Sequence, residues 1–311
     1  MTTKTRVFVT GATGFIGSHV VRLLLHEGCN VFALVRPNSN MERIADIANE
    51  IEIIEGDISA AASLQTPLHS WAPDVCLHLA WYTESGECLQ SPKNLTCFIG
   101  SVDLLEVLSK AKCPRIVVAG TGIEYDTDTG YVAEDSPIKP RSLYAACKHS
   151  LFLTAEQLTR ERGQSLAVPR IFNVYGPWED DRRMVPLVIR KLLTNEPCDL
   201  TIGTQVRDYL HVEDVASAIW VIAKSGLEGP VNIGSEQPMS VASIAREIGR
   251  LLNRSELLRI GGLPSREGDP PILCANSQRL RTNTEWRPRY DLQEGLQHTI
   301  NWWSTHGPTA A

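Results

Sequence analysis

The stretch VFVTGATGFIGSHVV, residues 7–21, sets Gly11, Gly14 and Gly17 three apart between a β-branched apolar run and a helical pattern. That spacing leaves few folds open. Gly11 permits a tight turn, Gly14 lets the backbone approach a ligand, and Gly17 lets a helix pack closely on a sheet. The helix that follows offers unbonded N–H groups and the positive end of its dipole, which suit a pyrophosphate. Gly11, Gly14, Phe15, Ile16 and Gly17 are therefore expected to cradle a dinucleotide.

The rest of the first half repeats the strand–helix alternation. RVFVT (6–10), NVFALV (30–35), IEII (51–54), DVCLHLA (74–80), RIVVAG (115–120) and SLAVPRI (165–171) are short, nearly continuous apolar runs. Strands buried on both faces read this way. Helical patterns lie between them, so the expected class is α/β, a doubly wound parallel (Rossmann) sheet with a smaller C-terminal substrate-binding subdomain. Residues 1–176 are expected to form the dinucleotide-binding domain, with 205–235 returning to it. Residues 177–204 and 236–311 are expected to form the subdomain.

A net charge of −6 and a pI near 5.8 exclude bulk nucleic acid and anionic membranes as partners. The eight cysteines are scattered without a C-x-x-C pair, and the eight histidines share no ligand spacing with them. A metal-free, cytoplasmic protein with reduced thiols is expected.

The end of the second strand decides the dinucleotide. An acidic residue there would take the ribose hydroxyls of NAD, and an arginine would accommodate the 2′-phosphate of NADP. The chain reads VFALVRPNSN, with Arg36 directly after the run. NADP is favoured and NAD stays open. Asp57, with Ile58 in EGDI, is expected beside the adenine. Leu79 and Ala80 in HLAW should line the cleft.

A second constellation lies in RSLYAACKHSLFL, residues 141–153. Residues i and i+4 of a helix share a face, so Lys148 should stand over the same groove as Tyr144. A phenol titrates near 10, and reaching neutrality requires a drop of about 3 units, or about 4 kcal/mol. A positive charge about 4 Å away supplies about that much at an effective dielectric of 20. The competing account is a surface pair, which Tyr and Lys form readily. Thr121, closing the fifth strand where parallel sheets bind ligands, supports the reactive account.

Together these residues carry a resemblance. With TGATGFIG, GDI, HLA, Thr121 before EYD, Tyr144 and Lys148, RIFNVYGP (170–177), RDYLHVEDVA (207–216) and PSREGDPP (264–271), the chain resembles the extended short-chain dehydrogenases/reductases that act on nucleotide sugars. The resemblance implies a catalytic set of Thr121, Tyr144 and Lys148, with Tyr144 exchanging the proton and Lys148 also holding the nicotinamide ribose. It implies that Asn173, Arg207 and Arg266 hold a nucleotide diphosphate, with Asp269 near its ribose. It also implies a homodimer paired through the helices holding Tyr144 and Leu104.

The departures narrow the chemistry. Dehydratases of this group carry an Asp–Glu pair where this chain has Gly122 and Ile123, so 4,6-dehydration is not expected. Decarboxylating relatives use a Glu at the Ile123 position. Cys97 stands where relatives place an Asn, and Trp81 where they place an Ala, so the loop with Tyr82 and Glu84 is expected to shape the sugar pocket. The leading expectation is an NADP-dependent reductase of a 4-keto-6-deoxy nucleotide sugar. The alternatives are a 4-epimerase that retains NAD and a cofactor-binding regulator without chemistry.

Overall fold

The computed structural model describes residues 4–265 and 268–307. The chain opens with β1 (Arg6–Thr10), α1 (Phe15–His26) and β2 (Asn30–Val35), followed by β3 (Glu52–Glu55), α2 (Gln65–Trp71) and β4 (Val75–His78). Next come α3 (Lys93–Lys110), β5 (Arg115–Val118), β6 (Gly120–Thr121), β7 (Tyr131–Val132), α4 (Leu143–Glu161) and β8 (Ser165–Ile171). After a break at Phe172 the chain forms β9 (Asn173–Tyr175), α5 (Met184–Leu193), β10 (Cys198–Leu200), β11 (Val206–His211), α6 (Val212–Lys224) and β12 (Gly229–Ile233). It ends with β13 (Pro238–Ser240), α7 (Val241–Leu252), β14 (Leu258–Ile260), β15 (Ile272–Ala275), α8 (Gln278–Asn283) and α9 (Leu292–His306).

The large sheet runs β3-β2-β1-β4-β5-β8-β12, all parallel, with β6 paired to β8. Strand alternation divides its side chains between two cores. Val7 and Val9 face a cluster built with α1 and α6, and Phe8 faces another built with α2, α3 and α4. The order reverses between β1 and β4, which opens a crevice at their carboxyl ends. Gly11 occupies that point.

Part of the chain departs from the sequence expectation. Of residues 205–235, Gly229–Ile233 joins the large sheet beside β8. Val206–His211 does not. It is the centre of a second sheet, parallel to β9 and β15 and antiparallel to β13. β8 is interrupted at Phe172, and the strand that follows, Asn173–Tyr175, pairs with Val206–His211 and not with the large sheet. Leu280 and Trp286, expected in the subdomain, pack into the α1–α6 core instead. A third cluster of α5, α7 and α9 side chains, including Val188, Ile248 and Leu296, fills the subdomain.

Candidate active site

The glycine turn is shaped by close approach. Gly11 has φ +76°, and a Cβ there would stand 2.7 Å from Ala80 N. A Cβ at Gly17 would stand 2.0 Å from Gly11 O. Gly14 N–H donates to Gly11 O at 2.9 Å and closes the turn. Helix α1, beginning with Phe15 and Ile16, has no side-chain cap and no acidic residue in its first turn. Its end therefore keeps its positive field, and the cradle fits the pyrophosphate of a dinucleotide.

The floor of the crevice is held by a directional chain of hydrogen bonds. Ala80 N–H donates to Thr10 Oγ1 at 3.2 Å, and Thr10 Oγ1 lies 2.7 Å from His78 Nδ1. His78 Nε2 lies 2.7 Å from Ser101 Oγ, which donates to Cys97 O at 2.6 Å. Since each hydroxyl has one proton to give, His78 carries its hydrogen on Nε2. Burial, with the Lys148 charge adding, holds His78 down to about 3, so it is neutral. This fixes Leu79 and Ala80, both half-buried, at the mouth of β4. A histidine inside the apolar run DVCLHLA was the signal for this role.

Arg36 follows β2 directly and is exposed. Asp57 caps the turn after β3, accepting from Ser59 N–H at 2.8 Å, and Ile58 is buried against Gly100 of α3.

Helix α4 begins at Leu143, directly after its cap Ser142. Ser142 Oγ accepts from Ala145 N–H at 3.2 Å, and Tyr144 N–H donates to Leu89 O at 2.9 Å. Tyr144 and Lys148 both face inward. Lys148, 5% exposed, donates from Nζ to Ala119 O at 2.7 Å and lies 4.0 Å from the centre of the Trp81 ring. Trp81 stands edge-on to Tyr144, with centroids 6.3 Å apart, and donates from Nε1 to the buried Asn94 Oδ1 at 2.8 Å. Thr121 is buried at the end of β6 and closes a reciprocal capping box with Glu124.

The electrostatics correct one expectation. Lys148 does not bring the Tyr144 phenol toward neutrality. Burial pushes the phenol up, and contact with Thr121 draws it only part of the way back. The ammonium points at Ala119 O and the indole face, 6.0 Å from the centre of the Tyr144 ring. Lys148 itself is lowered to about 8 by burial, with Glu124 acting to raise it. At neutral pH the phenol thus keeps its proton and can donate it.

The substrate-facing residues fall into three groups. Tyr82 donates to Glu87 at 2.7 Å, and Glu84 pairs with Arg182 at 2.5 Å, tying the 81–88 loop to the segment before α5. Gly122 is buried under the Phe172 ring, where a Cβ would meet ring atoms at 2.7 Å, and Ile123 packs with Tyr125 and Val132. Asn173 lies opposite Tyr209 in the second sheet, and the buried Arg207 is paired with Asp269. Arg266 lies outside the described residues. Sequence reasoning passed over Glu124, Arg170 and Arg183; Arg183, beside α5, bears on Tyr144 and Tyr209. For Arg170 the signal was a charge within the apolar strand SLAVPRI.

Among the described residues no helix is long and apolar enough to cross a membrane, and no cluster of three or more His, Cys, Asp or Glu could hold a metal.

The profile of the NAD dependent epimerase/dehydratase family matches residues 7–234. A dTDP-glucose 4,6-dehydratase of Mycolicibacterium smegmatis is 27% identical over 96% of this chain and 93% of its own. A UDP-glucose 4-epimerase of Halalkalibacterium halodurans is 26% identical over 96% of both chains. Among solved structures, a Thermotoga maritima UDP-glucose 4-epimerase with UDP-glucose superposes with a TM-score of 0.89 at 25% identity, covering 97% of this chain and 99% of that one. A Bacillus anthracis dTDP-glucose 4,6-dehydratase in complex with NAD gives 0.86 at 26% identity, covering 97% of each.

Proposed function

As the chain belongs to the NAD dependent epimerase/dehydratase family, we propose that it reduces the keto group of a nucleotide-activated 4-keto-6-deoxy sugar. The observation that carries this reading is the Thr121–Tyr144–Lys148 set beside a Gly122 that has Phe172 against it. The first supports transfer at a carbon–oxygen bond. The second leaves no room for the carboxylate that water elimination needs at that position. A bound nicotinamide would supply the hydride. Tyr144 gives its proton to the sugar oxygen, Thr121 hydrogen-bonds the same oxygen, and Lys148 would hold the ribose of the nicotinamide. Gly11, Gly14, Phe15, Ile16 and Gly17 hold the pyrophosphate of the cofactor. Asn173, Arg207, Arg266 and Asp269 hold the nucleotide, with the guanidinium fork suited to paired phosphate oxygens.

The test is consumption of added NADPH or NADH with a panel of 4-keto nucleotide sugars, with none expected for simple ketones. A second reading, a 4-epimerase that retains NAD, is favoured by the NAD-dependent family and by relatives named as 4-epimerases. Stoichiometric NAD on the purified protein, with interconversion of two nucleotide sugars and no net oxidation, would establish it.

Arg36 supports NADP as the cofactor. Arg36→Ala is expected to weaken NADPH roughly tenfold more than NADH, by loss of a charge-assisted contact to the 2′-phosphate. Equal losses in a fluorescence titration would remove that contact.

We also propose a homodimer through α3 and α4. Leu104 faces the core, but Leu95, Ile99 and Leu153 on the same two helices are 48%, 58% and 48% exposed. A second copy of this face would cover them. Ile99→Glu should yield a monomer by light scattering, and an unchanged mass would exclude this face.

A further inference from the structure

Beneath Thr121, three elements meet through buried charges that the proposed chemistry does not itself consume. Glu124 is fully buried. Its Oε1 accepts from the Thr121 backbone N–H at 2.8 Å. Its Oε2 accepts from Arg170 Nε at 3.1 Å and lies 3.4 Å from His149 Nδ1. Arg170, 1% exposed on β8, lies over the Tyr125 ring at 4.5 Å and the Phe152 ring at 5.7 Å. His149 follows Lys148 on α4. One carboxylate thus joins the Thr121 turn, the strand behind it and the helix carrying both other reactive groups. A Cβ at Gly120 would come within 3.0 Å of Glu124 Oε1, so the strand itself leaves space for this carboxylate.

Burying an ion pair is poor value as a source of stability, because desolvation consumes much of the attraction. The charge has an evident second use. The groups bearing on Lys148 from the packed elements are neutral His78 of β4, Cys97 of α3, Trp81, Ala119 O and Glu124. Of these, Glu124 carries the formal negative charge. We infer that Glu124 is a positioning residue, whose carboxylate fixes Thr121 against α4 and whose charge steadies the Lys148 ammonium. This rests on the reading of Thr121, Tyr144 and Lys148 as the reactive set.

The test separates charge from geometry and does not depend on turnover. Lysine labelled with 13C at Cε reports the ammonium by NMR, and the Lys148 signal is assigned by its loss in Lys148→Met. Its midpoint is expected at about 8. In Glu124→Gln it should fall by about one pH unit. An unchanged midpoint overturns the charge role. Should Glu124→Gln fail to fold, Glu124→Gln with Arg170→Gln removes the Arg170 charge that the single substitution would strand. In that variant the midpoint should still fall, by roughly half a unit, and constancy again overturns the inference. Glu124→Asp keeps the charge but draws it back from the Thr121 N–H. The midpoint should then stay near 8 while turnover drops about 10²-fold, with no further drop in a Thr121→Ala background. An equal drop in that background overturns positioning through Thr121. If no nucleotide sugar turns over, the proposed function fails while the NMR titration still decides the charge role.

Discussion

Replacing Tyr144 by Phe is expected to cut turnover by about three orders of magnitude, the middle of the range for a positioned acid or base. The substitution removes one oxygen and leaves the ring, so the edge-on contact with Trp81 and the first turn of α4 should survive. Cofactor affinity should change by about twofold or less, since the glycine cradle is untouched and the lost hydroxyl serves the proton transfer. Lys148 keeps its bond to Ala119 O in the variant. The loss should therefore appear in kcat far more than in KM, because the proton moves only in the reaction. A stopped-flow measurement of hydride transfer checks this directly. Turnover within tenfold of the parent would take the phenol out of the mechanism. The sign of the electrostatics adds a second readout. Burial raises the phenol, so no loss of activity from its ionisation is expected between pH 6 and about 9, and any alkaline limb near 8 should belong to Lys148.

Gly17→Ala should be nearly as damaging, for a purely steric reason. The new methyl would lie 2.0 Å from Gly11 O and 2.7 Å from Gly11 C. Both are backbone atoms, and Gly11 in turn abuts Ala80 N, so the turn cannot retreat without disturbing the end of β4. Overpacking of this kind costs about 3 kcal/mol, and dinucleotide affinity should fall at least roughly 100-fold because the N–H groups of α1 would no longer converge. Gly28→Ala is the control. Its φ of +74° strains an alanine, but nothing lies within 4 Å of the new Cβ. It should cost about 1 kcal/mol and leave cofactor binding intact. Paired thermal melts and NADH titrations distinguish the two. Equal behaviour would mean that the close approach at Gly17 is unimportant.

What could be read from the sequence follows the range of the forces involved. β1, β2 and β8 were legible because a strand buried on both faces must be apolar throughout, a local rule. The shared face of Tyr144 and Lys148 on α4 was legible because the i, i+4 spacing of a helix is local as well. The second sheet was not, because Val206–His211 draws its order from β9, β13 and β15, distant in the chain, and short strands carry little pattern. At the site, Gly11, Gly17, Tyr144 and Lys148 announced themselves by spacing. Glu124 and Arg170 did not, because each is explicable only through the other, 46 positions away. The downward shift expected of Tyr144 failed for the same reason: a sequence shows that an ammonium is near, but not that Ala119 O and Trp81 claim it.

The ring of Phe172 over Gly122 also bears on how chains like this one diverge. Acquiring elimination chemistry would require carboxylates at positions 122 and 123, yet the first of these cannot be accommodated while the ring, stacked on Tyr125, remains where it is. An ancestor or a laboratory lineage would have to shrink residue 172 before either acidic replacement brought any benefit. Such an ordering places elimination chemistry more than a single step away from this sequence, and the aromatic residue acts as the ratchet.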